Sequence, residues 1–252
     1  MQISFIGAGV MGEAIVKSLL AKGLASHDNI IVSDASQSRR ELLKERYNIK
    51  TVADNRRAVK GTDVVILAIK PQDLTPVLRE LATALAPEQL VLSIVAGVTI
   101  DTLYRGLNHP RIVRAMPNMP AQISEAITVW SAAPEVNQQQ KELTRTLLEA
   151  FGKEVYVAEE EYIDMATALS GSGPAYIFLI IEALVDAGVH IGLPRKVAET
   201  LALETVLGSA RTIQVMAKHP AELRSMVTSP GGTTTEGLLQ LEKGGLRSLL
   251  IQ

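Results

Sequence analysis

The chain has 252 residues, of which 47% are hydrophobic and 21% are charged, so it is long enough for one or two globular domains with a substantial core. Its formal net charge of −2 gives no positive field, which argues against nucleic acid as a main partner. The absence of cysteine excludes disulfides, thiolate metal sites and cysteine nucleophiles.

The first predicted element is a buried strand that leads into a glycine-rich turn and a helix. Residues Gln2 to Gly12 read QISFIGAGVMG. In this pattern Gly7 permits the tight turn, Gly9 lets a pyrophosphate approach the backbone, and Gly12 lets helix and strand pack closely. The free N–H groups at the helix start then face the pyrophosphate. We therefore predict a dinucleotide site at Gly7, Ala8, Gly9, Val10, Met11 and Gly12.

The end of the second predicted strand carries two conflicting signals about the cofactor. The strand ends at Ser33, and Asp34 follows it at the place where an acidic residue binds the adenosine ribose of NAD. Ser36 and Arg39 come next and suit the 2′-phosphate of NADP. The alternative interpretation is that Arg39 and Arg40 only begin a solvated helix.

Short apolar runs alternate with helical patterns up to about residue 160, which predicts a doubly wound, mainly parallel sheet of the Rossmann type. After the first two strands, the predicted strands cover residues 51–52, 64–68, 90–95, 112–115, 126–131 and 155–157. Ligands bind beyond the carboxyl ends of such strands. The residues at these ends include Ala68, Lys70, Pro71, Ala96 and Gly97. Lys70 is either a cofactor contact, which we favour, or a snorkelling surface lysine.

The pattern after residue 160 is helical to the end of the chain, so we predict a sheet domain at 1–160 and an all-helical domain at 161–252. The predicted helix from Pro174 to Ala187 is apolar almost all round, and such a helix must be buried on every side. A domain of this length scarcely surrounds it. We therefore expect a homodimer in which the helices of two chains intertwine.

Two observations predict a cytoplasmic protein that does not contact a membrane. No cleavable apolar segment precedes the first strand. The longest strongly apolar run, Ala175 to Ile181, is far shorter than the ~20 residues that a membrane span needs.

The stretch from Thr228 to Thr235 reads TSPGGTTT and precedes a helical pattern. A Pro-Gly-Gly turn at a helix start, followed by hydroxyl groups, predicts a pocket for an anion such as a carboxylate. The alternative is ordinary capping, in which one threonine accepts from the orphan N–H groups. Three threonines are more than a cap needs.

No metal site is predicted. The four histidines lie in separate loop-like places, none at ligand spacing from another histidine or a carboxylate. No nucleophile–histidine–acid arrangement is recognisable either.

Seven motifs in fixed order give the chain a specific resemblance to the pyrroline-5-carboxylate reductase family. They are GAGVMG, ILAIKPQ, SIVAGV, RAMPNMP, ALSGSGPAY, GLPR and TSPGGTTTEGL. The resemblance implies an NAD(P)H-dependent oxidoreductase that reduces the cyclic imine 1-pyrroline-5-carboxylate to L-proline, the last step of proline biosynthesis. It also implies a Rossmann domain followed by a helical dimerisation domain, with dimers that often build larger rings.

Carried over by position, the resemblance assigns roles to several residues. It puts Asn55 near the adenosine phosphate and Glu160 near the substrate. The resemblance implies that the loop from Ser229 to Thr234, which includes Gly231, Gly232 and Thr233, binds the substrate carboxylate. Thr234 matches the threonine whose hydroxyl contacts the ring nitrogen. Many members prefer NADPH and often have a serine where this chain has Asp34, so NAD stays open as a second cofactor.

The chemistry that the resemblance implies needs no potent general acid, because a cyclic imine can take its proton from water and the iminium then accepts a hydride more readily. The active site is expected between the two domains. Two other functions also use a Rossmann domain but fit this sequence less well. A 3-hydroxyacid dehydrogenase requires a lysine on the long helix, and residues 166–187 contain none. A non-catalytic NAD(P)-sensing protein would have no reason to keep SPGGTTT.

Overall fold

The computed structural model describes all residues from Met1 to Gln252. It divides into two compact units, Met1–Tyr176 and Ile177–Gln252. The first holds an eight-stranded sheet with its helices, and the second consists only of helices, which confirms the predicted fold class. The division falls inside a long helix, so the short helix that follows the predicted boundary at residue 160 lies in the sheet unit.

The sheet has strand order β3-β2-β1-β4-β5-β6-β7-β8, and neighbouring strands are parallel except for the antiparallel pair β6–β7. Ile6 of β1 is level with Ser33 of β2 and Leu67 of β4, so these three strands end together and their following residues meet at one edge. The strands are β1 Ile3–Ile6, β2 Ile30–Ser33, β3 Lys50–Val52, β4 Val64–Leu67, β5 Leu90–Ser93, β6 Ile112–Met116, β7 Ala126–Ala132 and β8 Gly152–Tyr156.

The core of the first unit lies around the central strands. Every residue of β1, β4 and β5 is buried, as expected for parallel strands that are covered on both faces. The helices of this unit are α1 Val10–Ala21, α2 Gln37–Tyr47, α3 Asn55–Val59, α4 Leu74–Leu81, α5 Ile100–Leu107, α6 Gln138–Glu149 and α7 Glu161–Ala166.

Two short helices are missing from the sequence-based prediction. The segment that begins at Asn55 forms α3, and the Asp54 side chain accepts from the N–H groups of Arg56 and Arg57 at its start. Helix α5 begins in the same way, with Thr99 as its cap. Helix α3 is too short to show apolar periodicity, so its capping residue is its main local signal. Helix α5 does carry apolar residues at i, i+3, i+4 and i+7, namely Ile100, Leu103, Tyr104 and Leu107, so its pattern favours a helix as well as its cap.

The second unit holds the rest of a long helix and four more. A π-helical turn, Thr167–Gly171, follows α7, and the helices after it are α8 Gly173–His190, α9 Arg195–Met216, α10 Pro220–Met226, α11 Thr233–Lys243 and α12 Leu246–Ile251. A small cluster of Val185, Ala198 and Ala202 forms the buried core of this unit.

The prediction that α8 is buried on every side is not met within one chain. Phe178 is 51% exposed and Leu179 is 64% exposed, and of the whole helix only Val185 is buried. The helical stretch Glu161–His190 is long and apolar enough to cross a membrane by length and composition alone, a test that the core helix of a soluble protein also passes. A large apolar surface therefore lacks a cover in the isolated chain.

Candidate active site

Three glycines shape the turn between β1 and α1, each in a different way. Gly7 has a φ of +86°, and its N–H donates to the Ser33 carbonyl at 2.8 Å. A Cβ on Gly7 would come within 2.7 Å of the Ala68 carbonyl oxygen, and a Cβ on Gly12 within 3.0 Å of the Gly7 carbonyl oxygen. A Cβ on Gly9 would meet no protein atom within 4 Å. The turn is thus closely packed at its base and open at Gly9, where the sequence predicts the pyrophosphate.

The start of α1 offers free backbone donors to this open space. Gly9 is its N-cap residue, and no side chain caps the helix, so its first N–H groups are free for an anion. A cleft of about 460 Å³ lies beside the turn. Eight of the predicted cofactor residues line it: Gly7, Ala8, Gly9, Ser33, Asp34, Asn55, Ala68 and Lys70. The structure therefore brings them together at one edge of the sheet.

The other predicted cofactor residues lie outside the lining of this cleft. Val10 is exposed at the first position of α1, and Met11 packs partly against the core. Pro71 begins a 3-10 turn that leads into α4. Ala96 and Gly97 are exposed after β5, and Gly97 has a φ of +71°.

The Ser33 hydroxyl is a buried polar group without a hydrogen-bond partner in the protein. It lies at the carboxyl end of β2 and contributes to the cleft. Buried hydroxyls are nearly always hydrogen-bonded, so an unpartnered one beside an open cleft fits a ligand that supplies the missing partner. The donor set around the cleft therefore suits a polar, anionic cofactor.

Asp34 connects the glycine turn to the start of α2 through its two carboxylate oxygens. Oδ2 accepts from the Ala8 N–H at 2.9 Å, and Oδ1 accepts from the Ser36 N–H at 2.9 Å. Arg40 donates to the Asp34 carbonyl oxygen at 2.6 Å. The acid that the sequence placed at the ribose thus also fixes the conformation of the loops on either side of it.

Arg39 reaches back across the same turn. Its Nε donates to the Ala8 carbonyl at 2.5 Å and its Nη2 to the Gly9 carbonyl at 3.3 Å. It also forms an ion pair with Glu13 of α1. Arg39 is therefore not a free, solvated side chain at the start of α2, because it binds the backbone of the predicted pyrophosphate loop.

Glu13 joins three side chains and was not identified from the sequence. It pairs with Arg39 and with Arg46, and its Oε1 accepts from the Tyr47 hydroxyl at 2.9 Å. Burial by itself would raise the pKa of Glu13, but the Tyr47 hydroxyl and the two arginines outweigh it and hold the pKa below its usual range. The four residues form one charged cluster that ties α1 to α2.

Two predicted cofactor contacts, Asn55 for the adenosine phosphate and Lys70 for the nicotinamide half, differ in whether the protein already pairs their polar groups. The Asn55 amide donates to Glu80 Oε2 of α4 at 2.6 Å, so its nitrogen already has a partner in the protein. Lys70 is exposed, lines the cleft and makes no ion pair. An unpaired ammonium at a strand end is available to an anionic ligand.

Glu160 is bound within the sheet unit. Its Oε1 accepts from the Arg114 guanidinium of β6 at 2.8 Å and from the Ile100 N–H at the start of α5, also at 2.8 Å. Arg114 is only 3% exposed and also pairs with Asp164. Burial alone would lower the pKa of Arg114, but the hydrogen bonds to these two carboxylates raise it overall. In the sequence, Arg114 appears only as the first residue of the RAMPNMP motif, with no role assigned to it.

The SPGGTTT loop is a helix start without a side-chain cap. Gly231 has a φ of +68°, and Gly232 is the N-cap residue of α11. Thr235 donates to the Ser229 carbonyl at 2.7 Å and so holds the loop closed rather than capping the helix. Thr234 is exposed. No threonine caps α11, so the alternative of ordinary capping is wrong and the first N–H groups of the helix stay available to an anion.

Comparison with known proteins gives two family matches on the chain. A family model described as pyrroline-5-carboxylate reductase dimerisation matches residues 160–252. A model described as coenzyme F420-dependent NADP oxidoreductase matches residues 2–97. The matches therefore cover both the dinucleotide turn and the helical unit.

Similarity to individual proteins extends over the full chain. A pyrroline-5-carboxylate reductase of Synechocystis sp. is 43% identical over 252 residues, covering 100% of this chain and 94% of the relative. The structure of a pyrroline-5-carboxylate reductase from Coxiella burnetii has 40% identity and a TM-score of 0.90, covering 99% of this chain and 93% of that one. The Plasmodium falciparum pyrroline carboxylate reductase with NADP bound has 28% identity and a TM-score of 0.91, covering 100% and 93%.

Proposed function

The chain belongs to the pyrroline-5-carboxylate reductase family, and from this premise we propose that it reduces 1-pyrroline-5-carboxylate to L-proline with NADPH. The single observation that carries the proposal is the 43% identity to a named reductase across the entire chain. Similarity restricted to the Rossmann domain would not identify the substrate, because one fold serves many functions. Because the similarity also covers the helical unit, it includes the loop from Ser229 to Thr234 that we assign to the substrate carboxylate.

The residues of the sheet unit fit a dinucleotide. The pyrophosphate binds at the open backbone of Gly9 and the start of α1, and the adenosine ribose binds near Ser33 and Asp34. Lys70, with Ala96 and Gly97, serves the nicotinamide half. When bound, the cofactor supplies the hydride. The chain's own contribution is a rigid turn that holds it in one position.

The substrate carboxylate binds at the start of α11 in this proposal. The free N–H groups after Gly232 suit an anion, and Ser229, Gly231 and Thr233 frame them. Thr234 then directs its hydroxyl to the ring nitrogen of the imine. This is the one side chain that we assign to catalysis.

Positioning accounts for the rate in this mechanism. The imine nitrogen takes its proton from water, and the resulting iminium accepts a hydride without a strong general acid. Holding two reactants in a reactive geometry can lower a barrier by about 7–11 kcal/mol. The resemblance also assigns Glu160 to the surroundings of the substrate.

We propose further that the enzyme is a cytoplasmic homodimer, with 1–160 as the cofactor domain and 161–252 as the dimerisation and substrate domain. The exposed apolar surface of α8 and the dimerisation family match support self-association. Glu182 and Asp186 lie on this helix, and charged groups cost several kcal/mol at the centre of a bilayer, so a second copy suits the surface better than lipid. Rings of dimers, as in the family, are a further expectation.

The experiment is to follow the loss of reduced-nicotinamide absorbance with 1-pyrroline-5-carboxylate, with NADPH and NADH side by side. We expect turnover with NADPH, and the ratio of kcat/KM for the two cofactors shows whether Asp34 still accepts the ribose of NADH. No turnover with either cofactor, from protein that is folded and dimeric, would reject the proposal.

A further inference from the structure

The Glu160 carboxylate connects two elements at the carboxyl edge of the sheet. One oxygen, Oε1, accepts from Arg114 of β6 and from the Ile100 N–H of α5, both at 2.8 Å. Ile100 is the first residue of α5 and directly follows the loop 96–99. In the proposed function this loop lies along the nicotinamide half of the cofactor. Any shift of Glu160 therefore moves the end of that loop.

Arg114 makes this connection rigid. The side chain is 3% exposed in the middle of β6, between Ser93 of β5 and Ser131 of β7. A buried guanidinium must stay paired, because removing one partner leaves an uncompensated charge away from water. Its carboxylate partners are Glu160 and Asp164, so it fixes the start of α7 on the sheet.

The Ile100 N–H has no partner within its own helix, since the first N–H groups of a helix lack acceptors. Thr99 caps α5 by accepting from the Thr102 N–H at 3.2 Å, which leaves the Ile100 donor to Glu160. The hydrogen bond therefore replaces a cap at this position and sets where the 96–99 loop ends.

We propose that Arg114 and Glu160 are positioning residues for hydride transfer, which hold the 96–100 segment against the nicotinamide ring through the Ile100 N–H. Glu160 then acts through the loop rather than as a ligand of the imine. The inference rests on the proposed function, since it assumes a nicotinamide cofactor beside this loop. It adds Arg114 to the residues on which the reaction depends.

Ile100→Pro is the sharpest test, because it removes the N–H donor at a helix position that accepts proline; it also replaces a side chain that packs partly against the core. Proline is favoured at the first position of a helix, and Thr99 has the extended conformation (φ −78°, ψ 158°) that precedes proline. The Glu160–Arg114 pair remains intact. Ile100→Val keeps the N–H and is the matched control. In single-turnover stopped flow we expect hydride transfer to slow about 10- to 100-fold in the proline variant, because a misplacement of about 1 Å can cost that much. The rate of the valine variant should stay within about twofold of the native rate.

Variants of the carboxylate separate hydrogen bonding from charge. Glu160→Gln keeps an oxygen acceptor for both donors, so we expect its hydride-transfer rate to stay within about threefold of the native rate. Glu160→Ala loses both hydrogen bonds, so we expect its hydride-transfer rate to fall as much as that of Ile100→Pro. Asp164 pairs with Arg114 but does not accept from the Ile100 N–H. We therefore expect the hydride-transfer rate of Asp164→Asn to stay within about twofold of the native rate. The dissociation constant for NADPH, from nucleotide fluorescence, should change less than threefold in all variants, because the residues that bind the adenosine half are untouched.

Two outcomes overturn the proposal. Equal hydride-transfer rates in Ile100→Pro and Ile100→Val would show that the N–H bond does not matter. A Glu160→Gln rate as low as that of Glu160→Ala, with a raised KM for the imine, would assign Glu160 to the substrate instead. If the native enzyme shows no turnover, the proposed function fails; hydrogen exchange over residues 97–102 then still tests the connection, which predicts faster exchange in Glu160→Ala than in Glu160→Gln.

Discussion

Individual glycines of the β1–α1 turn separate binding from folding. Gly12 lies against the Gly7 carbonyl, whereas the space beside Gly9 is empty of protein. The GxGxxG pattern predicts this division, with Gly9 for the pyrophosphate and Gly12 for close packing of helix and strand. The surroundings of each Cβ position fit it.

Gly9→Ala should therefore weaken cofactor binding without affecting stability. Its φ of −61° suits alanine, and the added methyl group meets no protein atom but occupies the space of the pyrophosphate. We expect Tm to change by less than about 2 °C and the Kd for NADPH to rise at least tenfold, which is about 1.4 kcal/mol. Gly12→Ala is the comparison variant and should lower Tm as well. An unchanged Kd in Gly9→Ala would place the pyrophosphate elsewhere.

The charged cluster around Glu13 predicts a pH-dependent contribution to stability. The pKa of Glu13 in the folded protein lies below its ordinary value of 4.5, so the stabilisation is fully present above that value and is lost as the pH falls through the folded pKa. We expect Glu13→Gln to lower the free energy of unfolding by about 1.5–3 kcal/mol at pH 7, since its hydrogen bonds involve charged groups. The difference between native and variant should shrink below about pH 4.5.

Chemical denaturation at several pH values measures this contribution. Asp101→Asn is the control, because the Asp101–Arg105 pair is largely exposed, with side chains 64% and 77% accessible. Exposed pairs contribute little, so this variant should differ from the native protein by less than about 1 kcal/mol. A Glu13→Gln difference that does not vary between pH 3 and pH 7 would exclude the ionised cluster as its cause.

At the scale of elements, the sequence predicted what depends on local pattern. The strands around the glycine turn and the loop before α11 follow from apolar runs and from glycine and threonine spacing. It could not predict the contacts of Glu13 with Arg46, or of Arg114 with Glu160, because these join residues 33 and 46 positions apart without any repeating pattern. Helix α3 was missed because five residues are too few for periodicity, whereas α5 carries apolar residues at helical spacing and could have been predicted.

The uncapped start of α11 predicts separate roles for neighbouring threonines. Thr235 closes the loop through its bond to Ser229, while Thr234 is exposed and, in the proposed function, is directed at the imine nitrogen. We expect Thr234→Ala to keep its Tm and its NADPH affinity but to lose at least tenfold in kcat/KM, because a hydrogen bond made to the reacting group is removed.

Steady-state kinetics with 1-pyrroline-5-carboxylate measures this loss. Thr228→Ala is the matched control, since its hydroxyl bonds only to the Arg224 carbonyl one turn back, and its kcat/KM should stay within about twofold. Native kcat/KM in Thr234→Ala would remove Thr234 from the mechanism.

In the whole molecule, most apolar side chains of α8 are exposed, and no other part of the same chain covers them. The sequence predicted full burial from an apolar pattern, but within one chain only Val185 of this helix is buried. Apolar area of this extent is rare on monomers and marks interfaces. The match of residues 160–252 to a dimerisation model points to a second copy.

Light scattering at micromolar concentration tests the assembly directly. A homodimer predicts twice the chain mass of 27.1 kDa, and rings predict larger even multiples. Phe178→Glu places a charge on the exposed face of α8 and should shift the protein towards monomer, because burying an unpaired carboxylate is costly. Ile123→Glu makes the same change at a 73% exposed position of the sheet unit and should leave the mass unaltered. A native mass of one chain would contradict the dimer, and α8 would then need a different partner to cover its apolar side chains.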